Sequence, residues 1–300
     1  MDFNDFIYHF IYTNSARISS PDQLDSLGTI LDDNLVTNGF FLDPEDSLDS
    51  AILEQLSEEA LCEEFNPAIV RRSLELGFYP MSMAKAITSL QEIDIKNLSE
   101  DQFLSLHRKN IRRNLLAVKY HSKKLIVQFD SLHISKKLKG WLKGKFADYT
   151  ITFNRNYSLC VQELLNSYPE TWLCPELLEQ YELIHNNPGP DASIDSVEIW
   201  KDGKLVAGEI GFITHNAYAS LSGFHKEDDI GTVQMCVLGL FLKHNGFAYW
   251  DLGMELDYKY RYGAKALNRQ EQEELYSTLG REKLSFPKEE IPLSSFLEYL

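Results

Sequence analysis

DSVEIWKDGKLVAGEIGFI, residues 195–213, carries two apolar runs separated by Asp202-Gly203. An Asp-Gly pair between strand-like runs marks a tight hairpin, because both central residues of such a turn adopt positive φ. Beyond the hairpin, AYASLSGF (217–224) reads as a strand and VQMCVLGLFLKHNG (233–246) as a helix stopped by Asn245-Gly246. FAYWDLGM (247–254) then reads as a buried strand. Before the hairpin, KLIVQF (124–129) reads as a strand and KKLKGWLKG (136–144) as a short helix. DYTITFN (148–154) follows as a strand and TWLCPELLEQYELIHN (171–186) as a helix. Strands and helices alternating about a hairpin predict an α/β (α+β) mixed-sheet domain over 118–300.

The remainder predicts a smaller amino-terminal domain over 1–117 with a helical connector. Residues 21–64 are acidic and punctuated by turns (SSPDQLDSLG, NGFFLDPEDSLDS) and carry no motif. NPAIVRRSLELGFYPMS (66–82) has Asn66 at a helix cap, Pro67 in the first turn and Gly77 as the stop. A second helix is expected over 99–116, opening on the capping-box spacing Ser99-Glu100-Asp101-Gln102 and ending near Arg112 and Arg113. No internal repeat or low-complexity tract is present.

The chain carries a formal charge of −16, yet residues 107–145 contain twelve Lys/Arg and one acid, Asp130. A basic island between acidic flanks is the footprint of a polyanion site, since Lys and Arg that neutralise phosphates displace condensed counterions. The alternative is a solvated helix face with exposed lysines. Cys62, Cys160, Cys174 and Cys236 are far apart, with no C-x-x-C pair. That spacing argues against zinc or a disulfide framework and fits a reducing compartment. MDFNDFIYHFIY has acids where a signal peptide would carry lysines, and no apolar run approaches the roughly 18 residues that span a bilayer. A soluble, cytoplasmic protein without membrane association is expected. There is no H-x-x-x-H or carboxylate cluster to commend a metal.

The order hairpin, strand, helix, strand resembles the acyltransferase fold of the GCN5-related N-acetyltransferase superfamily. Five stretches point to one branch of it. SLHISKKLKG (131–140) resembles the S-L-H-I-S and basic residues of bacterial leucyl/phenylalanyl-tRNA–protein transferases. SVEIWKDGKLVAGEIGF is similar to their S-I-E-V-W…L-V-G-G…G hairpin, and FNPAIVRRSLELGFYPMS to their L-S-P…G-I-F-P-W element. WLCPELLEQY matches a W-I…Y helix, and GFAYWDLGMELDYKYRYGAKALNR a G-G…I-D-C-Q…S-L-G-A…I-P-R segment. The five keep one order over roughly residues 65–270. The resemblance implies transfer of an amino acid, Leu or Phe, from aminoacyl-tRNA onto the α-amino group of a protein's first residue, marking it for degradation.

On this resemblance the basic island is a tRNA platform, with Lys136, Lys137, Lys139, Lys143 and Lys145 on phosphates, His133 beside them, and Trp141 packing or stacking. The acidic remainder would hold down nonspecific RNA binding and attract acceptors beginning with Arg or Lys. Aminoacyl-tRNA is then the co-substrate and no cofactor is expected; oligomeric state is open, with a monomer compatible. HKEDDIGTVQ lacks the pyrophosphate loop of acetyl-CoA-dependent relatives, and its three acids would repel phosphates there.

The family's catalytic relay has an Asp at a strand end, matched by Asp251. The Gln and Asn that follow it are Gly253 and Leu256 here, and a Glu on the neighbouring strand is Leu221. Glu255 and Asp257 could substitute if the strand continues that far. The aminoacyl pocket implied by the resemblance includes Tyr218, Trp172, Leu221 and Gly253. Met81 stands there for the Trp of F-P-W, and Glu209 for a Met. A carboxylate in an apolar pocket is costly unless paired. Glu209 therefore either pairs with a protein cation or meets a polar or cationic aminoacyl group. DLGMELDYKYRYG is similar to an element of arginyl transferases, which keeps an arginyl or lysyl donor open. Two further readings stand beside transfer: a catalytically silent homologue that binds tRNA or amino-terminal peptides, and a small-molecule aminoacyltransferase.

Overall fold

The computed structural model describes residues 16–17, 59–62, 65–87, 111–119, 121–169 and 171–300. Its contacts divide the chain into two compact units: Met1–Val70, Pro80–Lys119 and Trp172–Gln180 in one, Arg71–Tyr79, Tyr120–Thr171 and Tyr181–Leu300 in the other.

The first unit contains a four-stranded sheet in the order β1-β2-β4-β3. Its strands are β1 (Ala16–Arg17), β2 (Glu59–Cys62), β3 (Tyr79–Ile87) and β4 (Ile111–Lys119). The helix expected over 99–116 is therefore corrected at its end, where β4 pairs antiparallel with β2 from Leu116↔Cys62 to Lys119↔Glu59. Pairing with a strand far away in sequence overrides a local pattern that suits a helix. Residues 99–110 and 21–58 lie outside the described residues. Helix α1 (Pro67–Glu75) starts as expected, with Asn66 Oδ1 accepting from the Ala68 N–H at 2.8 Å.

The second unit is built on a mixed eight-stranded sheet, β11-β5-β10-β9-β8-β7-β6-β12. The hairpin at its centre joins β7 (Ala192–Lys201) to β8 (Lys204–Thr214). Asp202 and Gly203 have φ of 50° and 74°, the left-handed pair that this turn demands. A second two-residue turn leads to β9 (Ala217–His225). Helix α5 (Ile230–His244) then crosses over, so that β10 (Tyr249–Asp251) lies parallel to β9. On its other side β10 pairs antiparallel with β5 (Lys123–Gln128). The sheet is completed by β6 (Thr150–Phe153), β11 (Lys265–Asn268) and β12 (Ile291–Pro292).

Strand alternation separates two faces. Leu125, Val127, Tyr218 and Trp250 enter the main core with Val233, Val237 and Phe241 of α5. Leu138 and Leu142 of helix α2 (Leu138–Lys143) join that same core. Ile126, Ala217 and Tyr249 form a smaller cluster, with Leu275 of helix α6 (Arg269–Ser277) packed on it. Helix α3 (Tyr157–Ser167), absent from the sequence reading, is capped by Asn156, whose side chain accepts from the Leu159 N–H at 3.1 Å. Helix α4 (Pro175–Asn186) opens on Pro175, a residue that costs nothing at a first helical position because no N–H is needed there.

Candidate functional site

Asp251 ends β10, and the chain turns away at once: Gly253 has φ of +69°. The strand stops before Glu255 and Asp257, which are exposed and cannot share its face. The Asp251 carboxylate is buried and fully engaged. Oδ1 accepts from the Tyr79 hydroxyl and the Gly253 N–H, each at 2.7 Å, and Oδ2 from the Lys124 ammonium at 3.0 Å. Lys124 also donates to the Gly77 carbonyl at 2.6 Å. Burial, with Asp251 alongside, pushes the Tyr79 phenol well above its ordinary value, so it stays a donor.

A second buried cation finishes the turn. Lys259 donates to the carbonyls of Met254, at 2.9 Å, and of Leu252. Burial lowers its pKa to about 8, against the opposing pull of Asp251. Sequence reading missed Tyr79, Lys124 and Lys259. The available signal for Lys124 was its inward position in KLIVQF, two residues from Ile126 on the same strand face.

Glu209 lies on the other face of the sheet. Its Oε1 accepts from Tyr218 at 2.8 Å and Ser220 at 2.7 Å, and its Oε2 from Gln234 of α5 at 3.0 Å. Burial raises its carboxyl above the ordinary range, and the hydrogen bonds from Ser220, Tyr218 and Gln234 offset only part of that rise. Of the two roles expected for Glu209, pairing with a protein cation does not occur among the described residues: all three donors are neutral. Gly211 makes the arrangement possible, since a Cβ there would sit 2.3 Å from the Tyr218 hydroxyl oxygen. Trp250 steadies Ser220 through an indole N–H bond of 3.0 Å. Leu221 is the extra residue of a β-bulge, between the pairs Gly211↔Ser220 and Ile210↔Ser222. Met81 and Trp172 belong to the first unit, where Ser82 donates to the Trp172 carbonyl.

Lys136, Lys137, Lys139, Lys143 and Lys145 are all exposed on or beside α2. Lys136, Lys139 and Lys143 form no ion pair among the described residues. Lys145 meets Asp229 at 3.1 Å and the Asp228 carbonyl at 2.8 Å, just before α5. Trp141 packs rather than presenting an open face: it is partly buried and edge-on to Phe146, with ring centroids 6.3 Å apart. His133 is exposed, and its N–H bonds the Tyr262 carbonyl at 3.1 Å. The Asp251 carboxylate shares its face with Ile126, whereas α2 packs on the opposite face with Leu125 and Val127. The lysines therefore share a face with Glu209, not with Asp251. From Asp229, in contact with Lys145, to Gln234, in contact with Glu209, is five residues, about 7.5 Å of helical rise.

A family model described as leucyl/phenylalanyl-tRNA protein transferase matches residues 126–277, which include the last three residues of β5 and all of α2, the hairpin, α5, β10 and α6. Curated proteins with the name leucyl/phenylalanyl-tRNA–protein transferase are similar in sequence. That of Maridesulfovibrio salexigens is 28% identical over 169 residues, 55% of this chain and 66% of the relative. That of Pseudoalteromonas translucida is 29% identical, covering 49% and 61%, and that of Solidesulfovibrio magneticus 28% identical, covering 47% and 56%. The chain thus matches a little under two thirds of the length of these relatives. The matched segment carries Asp251, Glu209 and the lysine-bearing helix, though Tyr79 and Lys124, which hold Asp251, precede it, and the chain belongs to the leucyl/phenylalanyl-tRNA protein transferase family.

Proposed function

We propose that this protein transfers an amino acid from aminoacyl-tRNA to the α-amino group of a protein's first residue, tagging it for degradation in the cytoplasm. Leu and Phe are the donors that the family's name gives. The observation that carries the reading is the shared face: Lys145, beside the exposed lysines of α2, and the buried polar cluster around Glu209 both meet the amino-terminal end of α5. A tRNA seated on the lysines brings its charged 3′ end toward that face of the sheet. Among the described residues no helix is long and apolar enough to cross a membrane.

An aminoacyl ester is already activated, so the reaction needs positioning rather than a covalent enzyme intermediate. The acceptor nitrogen attacks the ester carbonyl carbon. The new C–N bond forms, the C–O bond to the terminal ribose breaks, and the nitrogen's proton passes to the ribose oxygen. The α-amino group has a pKa of about 7.7–8.0, so a substantial fraction is neutral at physiological pH. Asp251, bound to one cation and two neutral donors, serves as a positioning residue for the turn after β10. Acceptors beginning with Arg or Lys suit the acidic remainder of the chain.

The test is to incubate the protein with a pool of charged tRNAs and peptides of defined first residue. A peptide mass gain of one aminoacyl residue is expected. Binding of tRNA without any gain indicates a silent homologue, and absence of tRNA binding defeats both.

A further inference from the structure

MELDYKY (254–260) alternates apolar or aromatic residues with charged ones at every step. Such alternation ordinarily buries the apolar set and leaves the charges in water. The structure inverts it. Met254, Leu256, Tyr258 and Tyr260 are 46%, 39%, 45% and 40% exposed, whereas Lys259 is buried. Of the eight large hydrophobic residues exposed among the described residues, four thus fall within seven consecutive positions. Single exposed apolar residues are ordinary, but a contiguous group of them marks an interaction site.

The inverted segment is tied down. Lys259 donates to the carbonyls of Leu252 and Met254, which closes the segment onto the turn after β10. The Tyr260 hydroxyl donates to Glu255, and the Ser131 hydroxyl to the Gly263 carbonyl at 2.9 Å. Glu255 and Asp257, set between the apolar residues, are exposed and form no ion pair among the described residues. The surface is therefore both apolar and anionic. Burial, then the charges of Glu209 and Tyr168, raise the Tyr258 phenol, so this surface borders the Glu209 side of the sheet.

The proposed reaction brings two macromolecules to the protein. An RNA laid on this surface would set its phosphates against Glu255 and Asp257, and the exposed lysines stand elsewhere, on and beside α2. A polypeptide segment of apolar and basic residues matches both features of the surface. Met254 is three residues beyond Asp251, at most about 11 Å of extended chain. An acceptor whose first residue lies at the turn after β10 would therefore lay its next few residues across the patch.

We infer that Met254, Leu256, Tyr258 and Tyr260, with Glu255 and Asp257 between them, form a docking surface for the acceptor polypeptide, taking the apolar and basic residues that follow its first one. The inference rests on the transfer reading and adds to it a preference for acceptor sequence beyond the first residue. Docking there holds the chain and makes or breaks no bond, so it should lower KM and leave kcat alone.

The full-length chain is supplied with leucyl- or phenylalanyl-tRNA and peptides that share a first Arg and differ afterwards. Peptides continuing Leu-Lys-Leu should show a KM about tenfold below those continuing Gly-Ser-Gly, with similar kcat. Replacing the exposed side chains together (Met254→Ser, Leu256→Ser, Tyr258→Ser) should bring that ratio close to one with the thermal midpoint retained. A second variant, Glu255→Gln with Asp257→Asn, should erase the preference for Leu-Lys-Leu over Leu-Glu-Leu. Equal KM values in the unaltered protein, or a ratio that survives both variants, overturn the inference and leave the transfer reading intact. Loss of tRNA affinity or of self-association in the variants, with the peptide ratio unchanged, assigns the surface to RNA or to a second copy and also overturns it. Should no transfer occur, the same peptides carrying a fluorophore are compared in binding. A tenfold preference for Leu-Lys-Leu that the variants abolish then upholds the docking surface, and equal binding overturns it.

Discussion

The Lys124 ammonium donates to the Asp251 carboxylate at 3.0 Å, with both side chains less than a tenth exposed. Tyr79 and the Gly253 N–H complete the carboxylate's shell, so the ion pair, a phenol and a turn form one unit at the end of β10. Breaking a buried pair by removing one partner costs about 3–5 kcal/mol, because the other charge is left uncompensated. Lys124→Met and Asp251→Asn should each lower stability by about that amount. The double variant should lose clearly less than the sum of the two. Denaturant midpoints at constant slope measure it, and strict additivity would show that the two groups are not coupled.

Tyr79→Phe leaves the ion pair but removes one donor from Asp251. A loss of about 1–3 kcal/mol is expected, the range for an unsatisfied buried partner. Urea unfolding of the variant measures it; an unchanged midpoint would contradict the 2.7 Å bond.

Glu209 carries a pH signature. Its folded carboxyl is raised, so between its unfolded pKa and that higher value the folded state holds a proton that the unfolded state has lost. Stability contributed at this site is therefore full below the unfolded pKa and falls as pH rises through the folded one. Glu209→Gln cannot titrate, so its stability relative to the parent should improve as pH rises from about 4 towards neutrality. Parallel pH–stability curves for the two proteins would contradict this.

Gly211→Ala would place a Cβ 2.3 Å from the Tyr218 hydroxyl. Overpacking of this kind costs about 1–3 kcal/mol. It should also displace Tyr218 from Glu209, read as a fall in thermal midpoint and in whichever donor selectivity the unaltered protein shows.

Replacing Lys136, Lys139 and Lys143 with Ala should weaken tRNA binding and flatten its salt dependence. If each lysine meets one phosphate, the slope of log affinity against log salt should fall by roughly 2 to 3. These side chains are exposed and the buried positions of α2 are Leu138 and Leu142, so stability should stay nearly constant.

The sequence shows most plainly those parts of the fold governed by local chemistry. Asp202-Gly203 announced the hairpin because few other pairs accept two positive φ values in succession. Asn66 and Pro67 likewise marked the start of α1. What escaped depends on pairing across long separations. β4 forms because Leu116–Lys119 meets β2, and no local pattern carries that information. Asp251 was visible as a strand-end carboxylate, but its partners Tyr79 and Lys124 lie 172 and 127 residues away along the chain. Glu209 stood out as a charge in an apolar hairpin. Its neutral partners, and its place on the lysine face, required the register of β8, β9 and β10.

The most direct measurement is the intact mass of an acceptor peptide after incubation with the protein and aminoacyl-tRNA. The account predicts a gain of one aminoacyl residue, lost when the ester is first stripped from the tRNA by mild alkali. An unchanged peptide mass, with the protein folded and the tRNA bound, would contradict it.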